Sequence, residues 1–204
     1  MSGSRESIMK AVGRAITPAT THLPEPVPVA PVADLVAQFG DALQKLGGEL
    51  IRATDLKQAA QELLQLAGGE AAGERLWFIA DRELATELGQ YLPVRVATLF
   101  QMADCLASVV EADVAIADTA TVGLSLDVRQ PRSSYLLPEI SVVVARQSRL
   151  LPTLMDALLE LERREKLPTG FVFVTGPSRT ADIEKTVVIP AHGPKRLIVV
   201  LYEG

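Results

Sequence analysis

The sequence predicts an α/β domain built on a mixed, largely parallel sheet and preceded by an N-terminal helical arm. Three observations lead there. In the first half of the body, amphipathic helical stretches alternate with short apolar segments, the rhythm of a parallel sheet crossed by helices. Apolar residues make up 48% of the 204 residues and charged residues 22%, a globular balance with chain enough for a sizeable core. Five prolines between residues 17 and 32 set a short amphipathic segment apart from that body.

The elements follow in order. "SRESIMKAVGRAI" (4–16) places Ile8, Met9, Val12 and Ile16 on one side of a helix, with Ser4 as N-cap residue. Arg5, Lys10 and Arg14 invite a targeting reading, but the stretch is short and carries Glu6. "TPATTHLPEPVPVAPV" (17–32) is an extended linker in which His22 reads as a solvated histidine. Residues 1–32 are therefore arm and linker, and residues 33–204 form the α/β domain. A helix on such a tether suits self-association or partner docking through residues 4–16.

Leu35, Val36, Phe39, Leu43 and Leu46 recur at helical spacing until Gly47-Gly48 stops the helix. "ELIRA" (49–53) is a strand, Asp55 caps a helix over 56–67, and "RLWFIA" (75–80) is a buried strand. Asp81 caps a third helix, and "VRVATL" (94–99) is another strand. "MADCLASVV" reads as an apolar, helix-like segment with Cys105 in the core. "ADVAIADTATVGLSL" (112–126) reads as two strands meeting near Asp118-Thr119. "SSYLLP", "ISVVVA", "GFVFVT" and "RLIVVLY" add four strand segments, interrupted by a helix over 152–165 with Pro152 in its first turn.

Composition excludes several classes of function. A net charge of −5 and no basic stripe interleaved with aromatics argue against nucleic acid. One cysteine, Cys105, cannot build a disulfide framework, a structural zinc site or an iron–sulfur cluster within the chain. With two histidines, one of them in the linker, no metal site is expected. No apolar run reaches the roughly 18–20 residues of a membrane span and no signal peptide is visible, so the expected compartment is the cytoplasm.

Three polar clusters remain. In "ADTATVG" (117–123), Asp118, Thr119 and Thr121 can aim polar groups into a cleft at a strand end, or simply build a tight turn. In "TGPSRTAD" (175–182), Gly176-Pro177 ends a strand and Ser178, Arg179, Thr180 and Asp182 follow. Exposed backbone amides beside an arginine suit a phosphate or carboxylate, whereas an Arg179 pair with Asp182 or Glu184 would merely pin the loop. In "AHGP" (191–194), His192 and Gly193 occupy a third turn, where the histidine serves as proton donor, ligand group or structural residue. These segments could line one cleft, with Arg179 as its cation. The stretch after residue 175 is not a Walker loop or a dinucleotide fingerprint, and no GxSxG elbow activates a serine.

"GPSRTADIEKTVVIPAHGPKRLIVVLYEG" closely resembles the C-terminal signature of the LutC/YkgG family of LUD-domain, lactate-utilisation proteins, and "ADVAIADTATV" is similar to that family's other recurrent segment. Two departures stand out: Pro190-Ala191 before His192, and Ala120 where a glycine is common. The resemblance implies a fold similar to the NagB/RpiA/CoA-transferase and formyltetrahydrofolate cyclo-ligase group. It implies a subunit role in oxidising L-lactate to pyruvate beside cysteine-rich iron–sulfur partners, with the clusters on those partners and no cofactor in this chain. It carries no catalytic residue across. The alternative is a stand-alone enzyme or sensor binding a phosphorylated, CoA-linked or folate-like small molecule, with Glu184 or Glu139 as nucleophile in the enzyme case.

Overall fold

A computed structural model describes residues 5, 7–11, 32–66, 77–95, 105–127, 130–165, 168–178, 180–181, 187–188 and 193–204. Most of the linker, Val12, Ile16, the end of the 94–99 segment, Arg179, Asp182, Glu184 and His192 lie outside the described residues. The chain divides into two compact units, Met1–Pro31 and Val32–Gly204. In the first, residues 7–11 are helical and expose Ile8 and Met9.

The second unit opens with α1 (Leu35–Lys45), capped by Asp34, whose carboxylate accepts from the Ala37 amide at 2.9 Å. Gly47 adopts φ 77° just beyond the helix, and the Gly48 amide bonds back to the Leu43 carbonyl. Then come β1 (Glu49–Ala53), α2 (Leu56–Leu66), β2 (Trp77–Ile79), α3 (Arg82–Leu88) and β3 (Val94–Arg95). Asp55 and Asp81 cap α2 and α3 through their carboxylates, as their positions predict.

The remaining elements are β4 (Ala107–Glu111), β5 (Val114–Ile116), β6 (Thr121–Leu126), α4 (Ser133–Leu136), β7 (Ile140–Arg146), β8 (Leu150–Leu151), α5 (Leu154–Glu162), β9 (Gly170–Thr175), β10 (Thr180–Ala181), β11 (Val187–Val188) and β12 (Arg196–Tyr202). A main sheet of six parallel strands runs β1-β12-β7-β4-β2-β3. A second, mixed sheet runs β8-β5-β6-β9, and β10 pairs with β11 as a two-stranded ladder. The α/β class with a largely parallel sheet is thus as the sequence predicts.

Two readings of single segments need correction. "SSYLLP" forms the short helix α4 rather than a strand: Pro131 precedes it, and the Ser134 amide bonds back to the Pro131 carbonyl. The described part of "MADCLASVV", residues 105–110, runs into the central strand β4 rather than a helix, with Cys105 buried just before it. A strand covered on both faces is apolar throughout, and its periodicity resembles that of a buried helix.

The main sheet is sandwiched. On one face Val142 and Val144 of β7 and Ile198 and Val200 of β12 pack with Ala59, Ala60 and Leu63 of α2 and Leu84 and Leu88 of α3. On the other, Val143, Ala145, Val199 and Leu201 meet Phe39 and Leu43 of α1 and Val122 and Leu124 of the second sheet. Phe39 and Leu43 are wholly buried, each contributing on the order of 1.5–3 kcal/mol. At the amino edge Arg196 clasps Glu49 with two hydrogen bonds, Nε to Oε1 at 2.8 Å and Nη2 to Oε2 at 2.9 Å, tying β12 to β1. That bond raises the guanidinium's pKa further above its already high value.

Candidate functional site

The sequence-predicted segments meet through the second sheet. Strand β6 runs antiparallel to β9 with Thr121 opposite Thr175, so the turn before β6 and the loop after β9 emerge side by side. The Thr121 and Thr175 hydroxyls share a hydrogen bond at 2.7 Å, and Thr119 and Thr121 share another at 2.8 Å. Asp118 and Thr119 are exposed, whereas Thr121 is buried. The turn holds Ala120 at φ 47°, in the left-handed region that favours glycine.

Beyond Thr175 the chain turns at Gly176, with φ 75°, and the Ser178 amide donates to the Pro194 carbonyl at 3.3 Å. Gly193 lies against Ser178: a β-carbon added there would stand 3.1 Å from the Ser178 β-carbon. Thr119, Thr121, Gly176, Ser178 and Gly193 therefore gather at one end of the molecule. Thr180 opens β10, and Arg179, Asp182 and His192 fall outside the described residues. This end is the amino edge of the main sheet, where Pro194 leads into β12 and Ser141 lies near the start of β7. The cause is topological, because β9 belongs to the second sheet and points its carboxyl end that way.

A cavity of about 350 Å3 opens there, lined by Tyr135, Leu136, Ser141, Phe173, Gly176, Ser178 and Pro194 among others. Its walls are mostly apolar. The Ser141 hydroxyl is buried and, among the described residues, has no hydrogen-bond partner; Ser108, its neighbour in register on β4, and Ser134 on α4 are in the same condition. Burial pushes the Tyr135 hydroxyl's pKa upward, keeping it a neutral donor. An apolar hollow with a waiting hydroxyl and a hydroxyl-bearing rim suits a small ligand with one polar end. Glu139 stands at the same edge, paired with Lys195 at 2.8 Å.

Sequence reasoning missed a second cleft, of about 250 Å3, at the carboxyl edge of the main sheet. Its walls include Asp81, Glu111, Asp113, Gln130, Arg146 and Arg164. Gln130 fixes the wall by accepting from the Glu111 amide and donating to the Glu111 and Ser125 carbonyls. Arg164 pairs with Asp113 at 2.8 Å, and Asp113 also accepts from the Ser125 amide. Burial raises the pKa of Glu111, opposed by the Arg146 charge and helped by the carboxylates of Asp81, Asp113 and Glu87. These residues are scattered over some eighty positions; Asp81, Glu111, Asp113 and Arg146 end or closely follow apolar strands, whereas Gln130 lies in a loop and Arg164 follows α5.

Together these features define an open α/β protein with a parallel sheet covered on both faces and a cleft at each sheet edge. Residues 94–202, more than half of the chain, match the LUD domain, and the chain belongs to that family. It is 33% identical over 100 residues to Lactate utilization protein C of Bacillus pumilus (strain SAFR-032), a segment covering 47% of this chain and 42% of that one. It is 32% identical over 99 residues to the protein named Uncharacterized protein YkgG of Escherichia coli (strain K12), over 47% of this chain and 43% of that one. The match thus spans less than half the length of these relatives. A crystal structure of a DUF162 family protein from Deinococcus radiodurans superposes with a TM-score of 0.62 at 19% identity, over 86% of this chain and 99% of that one, a likeness of fold.

Among the described residues, no helix is long and apolar enough to cross a membrane. Nor, among them, do three His, Cys, Asp or Glu side chains gather where they could hold a metal ion.

Proposed function

We propose that the chain is a subunit of an L-lactate utilisation system, working beside iron–sulfur proteins that hold the clusters and carry the electrons. The observation that carries this reading is the 33% identity to a protein named Lactate utilization protein C. The single cysteine supports placing the clusters on partners, because thiolate-ligated clusters need several cysteines. The amino-edge cavity and its hydroxyl rim are the surface that this role would use for a ligand or partner, with Asp118, Arg179, Asp182 and His192 as additional candidates in the adjoining segments.

A second reading, a stand-alone enzyme or sensor for a phosphorylated, CoA-linked or folate-like molecule, draws on that same cavity, since a buried hydroxyl without a partner invites a ligand. Deleting the gene and testing growth separates the two. The subunit reading expects growth on pyruvate and none on L-lactate; normal growth on L-lactate as sole carbon source removes its support.

A further inference from the structure

Three hydroxyls without partners border one end of the amino-edge cavity. Ser108, Ser134 and Ser141 are each at most 1% exposed, and none of them has a hydrogen-bond partner among the described residues. Register explains why they gather. Ser108 of β4 lies opposite Ser141 of β7, and their strand neighbours Ala107, Val109, Ile140 and Val142 face α2 and α3. Alternation turns both hydroxyls to the other face, where α4, which carries Ser134, packs on β4 and β7. Adjacent strands stand roughly 4.8 Å apart, so Ser108 is directly beside Ser141.

The cavity begins at Ser141. Val143, two residues on and therefore on the same face, lines it too, with Leu124, Val172, Val174 and Leu197 as apolar walls. Buried hydroxyls are ordinarily satisfied. Three that are not, against a hollow of about 350 Å3, point to a polar group that arrives from outside.

What the hollow offers and lacks decides the chemistry of that group. Among the described lining residues none is charged, so an anion would enter the inner end with nothing to offset its lost hydration. A ligand hydroxyl or amine would bring a further donor to a place that already holds three unpaired ones. A carbonyl oxygen brings only lone pairs: it accepts from Ser141 and leaves no unpaired donor on the ligand. The apolar walls take the rest of the molecule. A volume of about 350 Å3 lies at the lower end of the usual 300–1,000 Å3 for small-molecule sites, which is room for a ring-sized body.

We propose that the amino-edge cavity binds an uncharged, ring-sized carbonyl compound, its oxygen accepting a hydrogen bond from Ser141 and its ring held among Leu124, Val143, Val172 and Leu197. The inference goes beyond the subunit reading and does not rest on it. Titration of the full chain with acetophenone, ethylbenzene and benzoate, three probes of similar shape, tests it by protein NMR. Benzoate should bind at least ~10-fold more weakly than acetophenone, because its charge enters an apolar hollow unpaired. Ser141→Ala, which breaks no existing hydrogen bond, should weaken acetophenone roughly 5-fold or more and leave ethylbenzene unchanged. A further readout needs no variant: the infrared carbonyl stretch of acetophenone bound to the wild-type chain should fall below its value in hexane, as that of a hydrogen-bonded carbonyl does. This stretch decides the matter even if Ser141→Ala folds poorly.

Benzoate binding as tightly as acetophenone, no binding of acetophenone, or a bound carbonyl stretch at the hexane value overturns the inference. So does a folded Ser141→Ala chain that holds acetophenone unchanged or loses ethylbenzene to the same degree. If a deletion strain cannot grow on L-lactate while the pure protein binds no acetophenone, the inference falls and the subunit reading stands. If the protein binds acetophenone through Ser141 while the deletion strain grows on L-lactate normally, the reverse holds.

Discussion

Thr121 and Thr175 face each other across β6 and β9 with their hydroxyl oxygens 2.7 Å apart, although 54 residues separate them. The pair joins the turn that begins one polar segment to the strand that ends in another. Thr121 also shares a hydrogen bond with Thr119, so it is the middle of a three-hydroxyl chain. Thr121→Val should therefore cost more than Thr175→Val, because it strands two partners rather than one. We expect about 1 kcal/mol for Thr175→Val and more for Thr121→Val. By calorimetry that corresponds to a fall in Tm of roughly 2–4 °C for the first and a larger one for the second. Equal losses would mean that the chain of hydroxyls does not act as one.

Ser141 offers a contrasting case. Its hydroxyl is buried against the amino-edge cavity with no partner among the described residues. Removing an unpaired buried hydroxyl relieves a desolvation cost, so Ser141→Ala should leave Tm unchanged or slightly raised. A clear fall in Tm of the free protein would show that the hydroxyl is paired after all.

The comparison of these two positions shows what a sequence can reveal. Turn chemistry at Gly176-Pro177, caps at Asp55 and Asp81, and helix–strand alternation are local, and each was legible. That Asp118–Thr121 and Gly176–Ser178 adjoin depends on β6 pairing with β9, a contact between distant residues. Their placement at the amino edge depends further on which sheet receives β9, and no local pattern records that. Ser108, Ser134 and Ser141 were invisible for the same reason, since each lies in an apolar or mixed stretch and draws its interest from burial alone. Ala120 is intermediate: its departure from a common glycine was visible, and its φ of 47° gives the reason for that preference.

Glu111 makes stability depend on pH. Its folded-state pKa is raised, chiefly by burial, above the unfolded value. Between the two values the folded state binds more protons than the unfolded state, so stability falls as pH rises through that window. Above it the ionised side chain remains a penalty. Glu111→Gln should accordingly raise Tm at neutral pH, with the gain shrinking as pH drops below the ordinary carboxylate range. Thermal melts of both proteins across that range measure this, and a gain that grows on acidification would contradict the assignment.

The central claim, that this LUD-family chain serves L-lactate oxidation, is tested most directly in extracts of a strain deleted for its gene. The measurement is L-lactate-dependent reduction of an artificial electron acceptor, before and after adding the purified full-length chain. The account predicts little activity in the deleted extract and its recovery as the chain is added back. Undiminished L-lactate oxidation in the deleted extract would contradict it.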